Sequence, residues 1–367
     1  MVQPESTLTV AAPEHRPRRM AARGSVSASM RAARLHAFRE PLHVDHVARP
    51  TPRGDEVVVR VAAAGLGRCD IEVIDGGGRG IPLPLTLGHE VAGHVAAVGP
   101  DAGGLRVGEA VLVHSAWGCG HCPACVRGDE HLCRRGHICG TTAPGGFADF
   151  LLVPHARHVV RIDGLDPIHA APLAGAALTP YRGVQRVRER LVPGSAAVVI
   201  GCGALGQYAI QIIDVLTPAL IVAVDVNPRK EGPAREAGAD VVLDLLDHDA
   251  VGAALGGRPA VAVFDFVGSD STLGLAVHLV APQGDVVVAG FGGGTVRAPL
   301  LSLPPEAGIS TVRGGSRREL EEVVALARTG QLRMRAQRFQ LDRVNDAVIA
   351  LRAGWVSNRA VIVPAMT

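Results

Sequence analysis

Two textures of apolar positions divide the chain. In the first, short runs either alternate or are rich in β-branched residues: 56–62 (EVVVRVA), 90–98 (EVAGHVAAV), 110–113 (AVLV) and 147–153 (FADFLLV). Gly and Pro punctuate all of them, and this spacing predicts an all-β, barrel-like unit over residues 30–180. After Pro180 the apolar runs become short and continuous, at 196–200 (AAVVI), 220–224 (LIVAV), 261–266 (VAVFDF) and 285–289 (DVVVA). Helical stretches separate them. In one, Ala209, Ile212, Ile213 and Leu216 fall at i, i+3, i+4 and i+7 and form one apolar face, which Pro218 terminates. Strands alternating with helices predict a doubly wound parallel sheet over residues 181–312, so the fold class is α/β. The tail, 313–367, holds an amphipathic helix at 319–327 and a last strand at 360–363. Residues 1–29 are rich in Pro, Arg, Ser and Ala without periodicity and are expected to be a disordered extension.

Composition narrows the function classes. The 367 residues are 47% apolar and 20% charged, which fits a packed globular protein and not a disordered one. Thirty-seven Lys and Arg balance 35 Asp and Glu, so the charge points to neither nucleic acid nor an anionic membrane. No apolar run approaches a membrane span, and 20–30 (MAARGSVSASM) lacks the apolar core of a signal peptide. A cytoplasmic location is expected, where clustered cysteines indicate a metal before a disulfide.

Four of the seven cysteines, Cys119, Cys122, Cys125 and Cys133, form C-x2-C-x2-C-x7-C. Four thiolates complete a tetrahedral zinc site with no open position, so this zinc would be structural. An iron–sulfur cluster would call for a shorter last gap followed by Pro; here the gap is seven residues and Arg134 follows. A second motif, Gly201-Cys202-Gly203-Ala204-Leu205-Gly206, sits between a predicted strand and a predicted helix. Gly201 would make a tight turn, Gly203 would admit a pyrophosphate, and Gly206 would let helix pack on strand. The N–H groups at Ala204 and Leu205 would face the phosphates. Asp225, nineteen residues beyond Gly206, ends the next strand. A carboxylate there accepts from a ribose 2′-hydroxyl and favours NAD, while Arg229 and Lys230 nearby leave NADP open.

Together these motifs resemble the zinc-type medium-chain dehydrogenase/reductases, the alcohol dehydrogenase family. The likeness runs from about Met30 to Pro364 and extends to Gly88-His89-Glu90, Gly146-Phe147-Ala148, Leu178-Thr179-Pro180-Tyr181 and Asp225-Val226-Asn227. It implies a GroES-like barrel domain, a Rossmann domain, an active-site cleft between them, and a tail that returns to the barrel. It also implies a homodimer or homotetramer, Thr179 near the nicotinamide and Arg359 near the pyrophosphate.

One departure from the family pattern bears on the chemistry. The family's active-site zinc takes a Cys from G-[VI]-C-x-[TS]-D. Here that segment reads Gly65-Leu66-Gly67-Arg68-Cys69-Asp70, which puts Gly67 at the ligand position and Cys69 where a proton-relaying Ser or Thr is usual. His89, the second ligand, and its neighbour Glu90 are kept, but the third position falls on Gly175. Glycine offers no side-chain ligand, so the catalytic zinc is expected to be absent and the structural one retained. The reaction would then be hydride transfer from a nicotinamide to an activated C=C, C=N or carbonyl of a small molecule, with Cys69 or His89 supplying the proton. Two alternatives stand beside this reading. One is a zinc-dependent alcohol dehydrogenase with the altered ligand set Cys69, His89 and Glu90. The other is a non-redox lyase, cyclase or binding protein on the same fold. Asp70 reads as structural and His94 as a core histidine. His114 and Trp117 lie in segments suited to the cleft, and the remaining histidines show no spacing that indicates a second metal.

Overall fold

A computed structural model describes residues 29–78, 80–296 and 303–364. The expected N-terminal extension therefore lies outside the described residues, apart from Ser29, which opens a strand.

The first texture becomes a seven-stranded sheet. Its spatial order is Val159–Arg161, Ala110–Val113, Glu90–Val98, Val57–Leu66, Arg359–Val363 and Ala336–Gln340, with Phe150–Val153 also paired to Val57–Leu66. The last of the predicted strands starts three residues later than the sequence implies. Phe147 is instead fully buried beside Gly88, where its amide donates to the Leu87 carbonyl at 2.9 Å. The chain's final strand pairs antiparallel with Val57–Leu66, so the tail is built into the barrel sheet.

The second texture becomes a six-stranded parallel sheet ordered Val241–Leu243, Leu220–Val224, Ala196–Ile200, Ala260–Asp265, Val280–Val288 and Gly308–Thr311. Chain order reverses between Ala196–Ile200 and Ala260–Asp265. In an open parallel sheet, ligands bind in the crevice at the carboxyl ends of the strands beside such a switch. The glycine-rich turn follows Ala196–Ile200 directly and so lies at that crevice. Helix Ala204–Leu216 starts as the glycine spacing predicts, and its Ala209, Ile212 and Ile213 are fully buried. One core cluster runs from barrel residues Ala63, Ala92 and Leu112, through helices Leu178–Val187 and Ala204–Leu216, to Val199 and Phe264 of the parallel sheet. The two sheets thus share one continuous apolar core. Among the described residues, no helix is long and apolar enough to cross a membrane.

Candidate active site

The glycine turn has the geometry its sequence requires. Gly201 has φ +89°, a left-handed conformation that favours glycine. A Cβ on Gly206 would come 2.9 Å from the Gly201 carbonyl carbon, so only glycine lets helix and strand approach. Gly203 has open space where its Cβ would point, and it caps a thirteen-residue helix whose first-turn N–H groups, at Ala204 and Leu205, have no partner within the helix. Asp225 braces this turn. One of its carboxylate oxygens accepts from the Cys202 amide at 2.7 Å and the other from the Asn227 amide at 2.9 Å. Lys230 reaches back to the Val356 carbonyl at 2.9 Å, whereas Arg229 is exposed. Thr179, in the first turn of Leu178–Val187, accepts from the Gly314 amide at 3.1 Å and ties that helix to the loop before the tail helix.

The four cysteines converge as expected. Cys122 lies 3.5 Å from Cys125 and 3.8 Å from Cys133, and Cys119 lies 4.0 Å from Cys125. Tetrahedral zinc with bonds of about 2.3 Å separates its sulfurs by about 3.8 Å, so this set fits a structural zinc. The His121 amide lowers the Cys119 thiol to about 5, while burial pushes the Cys125 thiol up to about 12, so the fit rests on the sulfur geometry.

At the mouth of the barrel the side chains are arranged differently from a zinc site. Strand Val57–Leu66 runs out at Gly67, which caps the short helix Arg68–Ile74. Asp70, buried, accepts from the Gly67 amide at 2.8 Å and the Gly88 amide at 3.3 Å, and its Oδ1 lies 3.5 Å from His89 Nδ1. It braces the Gly67 and Gly88 turns and also faces the histidine. Burial disfavours the charged form of His89, but the Asp70 carboxylate and a contact with Cys69 outweigh it. The imidazole's pKa is held well above its ordinary value. Glu90 and Arg359 each open a strand flanking the end of Val57–Leu66, and Gly65 pairs with Glu90 on one side and Val361 on the other. Their side chains meet in a bidentate pair, Nε to Oε2 at 2.8 Å and Nη2 to Oε1 at 2.6 Å, with Glu90 fully buried and Arg359 5% exposed.

This ion pair fills the space in front of the glycines. A Cβ on Gly67 would stand 2.5 Å from Arg359 Nη1 and 2.7 Å from its Cζ. A Cβ on Gly175 would stand 2.5 Å from Glu90 Oε1 and 2.7 Å from its Cγ. Both carboxylate oxygens of Glu90 are thus engaged by the guanidinium. Arg359, expected at the pyrophosphate, has its head group at the glycine-lined end of the barrel instead. Two groups near the cleft escaped the sequence reading. Tyr208, on helix Ala204–Leu216, is buried with its hydroxyl unpartnered among the described residues, and burial, with the Glu90 charge adding to it, raises its pKa. Asp265 is fully buried at the end of the strand across the switch point. Its Oδ1 accepts from the Val267 and Gly268 amides at 2.8 and 2.9 Å, while Oδ2 has no partner among the described residues. The only cue to Asp265 was an acid closing an otherwise apolar run.

Two family models match the chain: an alcohol dehydrogenase GroES-like domain over residues 53–164 and a zinc-binding dehydrogenase over 204–329. A NAD-dependent alcohol dehydrogenase of Sulfurisphaera tokodaii is 33% identical over 91% of this chain and all of its own length. The chain belongs to the zinc-type medium-chain dehydrogenase/reductases. A D-arabinose 1-dehydrogenase (NADP(+)) of Saccharolobus solfataricus is also 33% identical, over 91% of this chain and 97% of its own. The crystal structure of the alcohol dehydrogenase from Aeropyrum pernix superposes with a TM-score of 0.86 at 34% identity, covering 91% of this chain and 100% of that one. As a member of this family, the chain is a dehydrogenase that uses NAD or NADP.

The family's active-site zinc can be tested against the residues present. Cys69, His89 and Glu90 do not bring three ligand atoms within 4.8 Å of one another, although other described residues do. With glycine at 67 and 175 and Glu90 held by Arg359, the residues here do not fit a protected three-ligand zinc site. Replacing Gly67 by alanine is therefore expected to destabilise the fold by about 1–3 kcal/mol through overpacking against the ion pair. Gly252→Ala, on an exposed helix face with open space in front of it, should not destabilise. Urea unfolding of the two variants compares them; a Gly67→Ala protein as stable as the parent would contradict the packing described.

Proposed function

We propose that this dehydrogenase moves hydride between NAD(H) and an activated C=C, C=N or carbonyl carbon of a small molecule, without a metal at the reacting centre. The observation that carries the reading is the Arg359–Glu90 pair filling the space before Gly67 and Gly175. Zinc in such a site polarises a carbonyl and stabilises the alkoxide by several kcal/mol. With no ligands for it, a protonated His89 anchored by Asp70 is the group suited to replace that effect. It donates a charge-assisted hydrogen bond to the substrate oxygen, or the proton that completes reduction. In the balanced step, the nicotinamide C–H bond breaks and its hydride forms a new C–H bond at the electrophilic carbon. The oxygen, or the α-carbon of an enone, takes the proton from His89 or Cys69. A preformed iminium takes hydride alone.

The relatives named for alcohols and for D-arabinose favour the carbonyl–alcohol couple among these options. Asp225, braced at the turn with lone pairs to spare, favours NAD. The test is metal content with turnover. Cys69→Ala and His89→Ala should each retain the metal-to-chain ratio of the parent, and the parent should oxidise NADH against an iminium or enone. If either variant loses one equivalent of zinc, the metal-free reading is wrong and the altered ligand set is right.

A further inference from the structure

We propose that His114, Glu130 and His158 form a second metal site, for a divalent transition ion of the zinc class, at the seam between the cysteine lobe and the barrel. One ligand atom from each lies within 4.8 Å of the other two. The fold brings them together from three places. His114 follows strand Ala110–Val113 and His158 precedes strand Val159–Arg161. These strands pair antiparallel, and the His114 amide donates to the His158 carbonyl at 2.8 Å. The two rings stand almost parallel with centroids 6.4 Å apart. Glu130 arrives from the lobe, on the short turn Glu130–Leu132 just before Cys133.

One hydrogen bond at the edge of the set fixes the tautomer of His114. His114 Nε2 lies 2.9 Å from the Gly315 carbonyl, which can only accept, so Nε2 carries the hydrogen and Nδ1 the lone pair. That Nδ1 is buried without a partner among the described residues, and His158 Nδ1 is likewise buried, 3.1 Å from Glu130 Oε2 but outside hydrogen-bond geometry. Both histidines are only 1% exposed, so water does not satisfy them. A buried acceptor left without a partner carries its full desolvation penalty, which a bound cation would recover. The other carboxylate oxygen of Glu130 lies 3.1 Å from Arg157 Nε, a charge contact outside hydrogen-bond geometry. Burial also pushes His158 down to about 3, which favours the neutral, metal-binding imidazole.

Two imidazoles and one carboxylate suit zinc, cobalt or nickel, not the all-oxygen sets of calcium and magnesium. Three ligands leave a fourth position for water. The guanidiniums of Arg157 and Arg317 nearby would make this site weaker than the four-thiolate set, so the two should fill separately.

The experiment is a cobalt titration of the full-length chain carrying zinc in its cysteine set. One further equivalent is expected, with visible ligand-field absorption and no thiolate charge-transfer band. Glu130→Gln, which preserves size, and His114→Gln should each abolish it while circular dichroism and the cysteine-bound zinc stay as in the parent. Four outcomes overturn the proposal. The first three are no further equivalent, cobalt seen only through thiolate bands, and a further equivalent that both variants keep. An equivalent lost in His89→Ala but kept in Glu130→Gln would overturn it too, and would also refute the metal-free active site; the first outcome leaves that site's reading intact.

Discussion

Arg359→Met should lower the unfolding free energy by about 3–5 kcal/mol, because it strands a fully buried carboxylate without its counter-charge. The partner change, Glu90→Leu, strands the guanidinium and should cost a comparable amount. The double variant should recover much of the loss, since an apolar pair of similar volume often replaces a buried ion pair at little cost. A urea-unfolding cycle of the four proteins measures this coupling. A single-variant cost under about 1 kcal/mol would mean the pair does not hold the end of the barrel together.

His89→Asn should reduce kcat/KM for a carbonyl or enone substrate by about 10²- to 10⁴-fold, the usual contribution of a positioned acid. The same variant should leave reduction of a preformed iminium much less affected, because that step needs no proton. The pH profile separates an acid from a mere packing residue. The imidazole's pKa is raised above 6.5, so the protonated form persists at neutral pH and activity should fall as pH rises through the raised value. Asp70→Asn removes the charge that raises it and should move this limb to lower pH. Equal losses on all three substrate types, with an unmoved limb, would rule out the acid role.

Much of this was legible in the residues. The cysteine spacing and the glycine turn each encode a local geometry: four ligands within fifteen residues, and a strand–turn–helix in which Gly201 and Gly206 meet steric demands from their immediate neighbours. Strand limits at 90–98, 110–113, 196–200 and 220–224 also came directly from apolar patterning, since each is a short run stopped at one end by Gly or a charge: Gly99, Glu109, Gly201 and Asp225. The Phe147 end of the next run was misread because its apolar residues serve a loop packed on Gly88, and burial alone does not distinguish loop from strand.

Contacts between distant segments were a different matter. The glycines at 67 and 175 could be read from sequence alone, but what fills the space in front of them could not. Arg359 lies 269 residues from Glu90, and only the pairing of two flanking strands with Val57–Leu66 puts the guanidinium there. The histidine–glutamate set has the same character: no periodicity links His114, Glu130 and His158, and an antiparallel strand pair with a docked lobe makes them neighbours. Chain-local spacing thus determined the fold class, the cofactor turn and the four-sulfur cluster, because their geometry closes within a few residues. Which charges face one another across the barrel was decided by tertiary structure, because burial and Coulomb energy depend on distance in space and not along the chain.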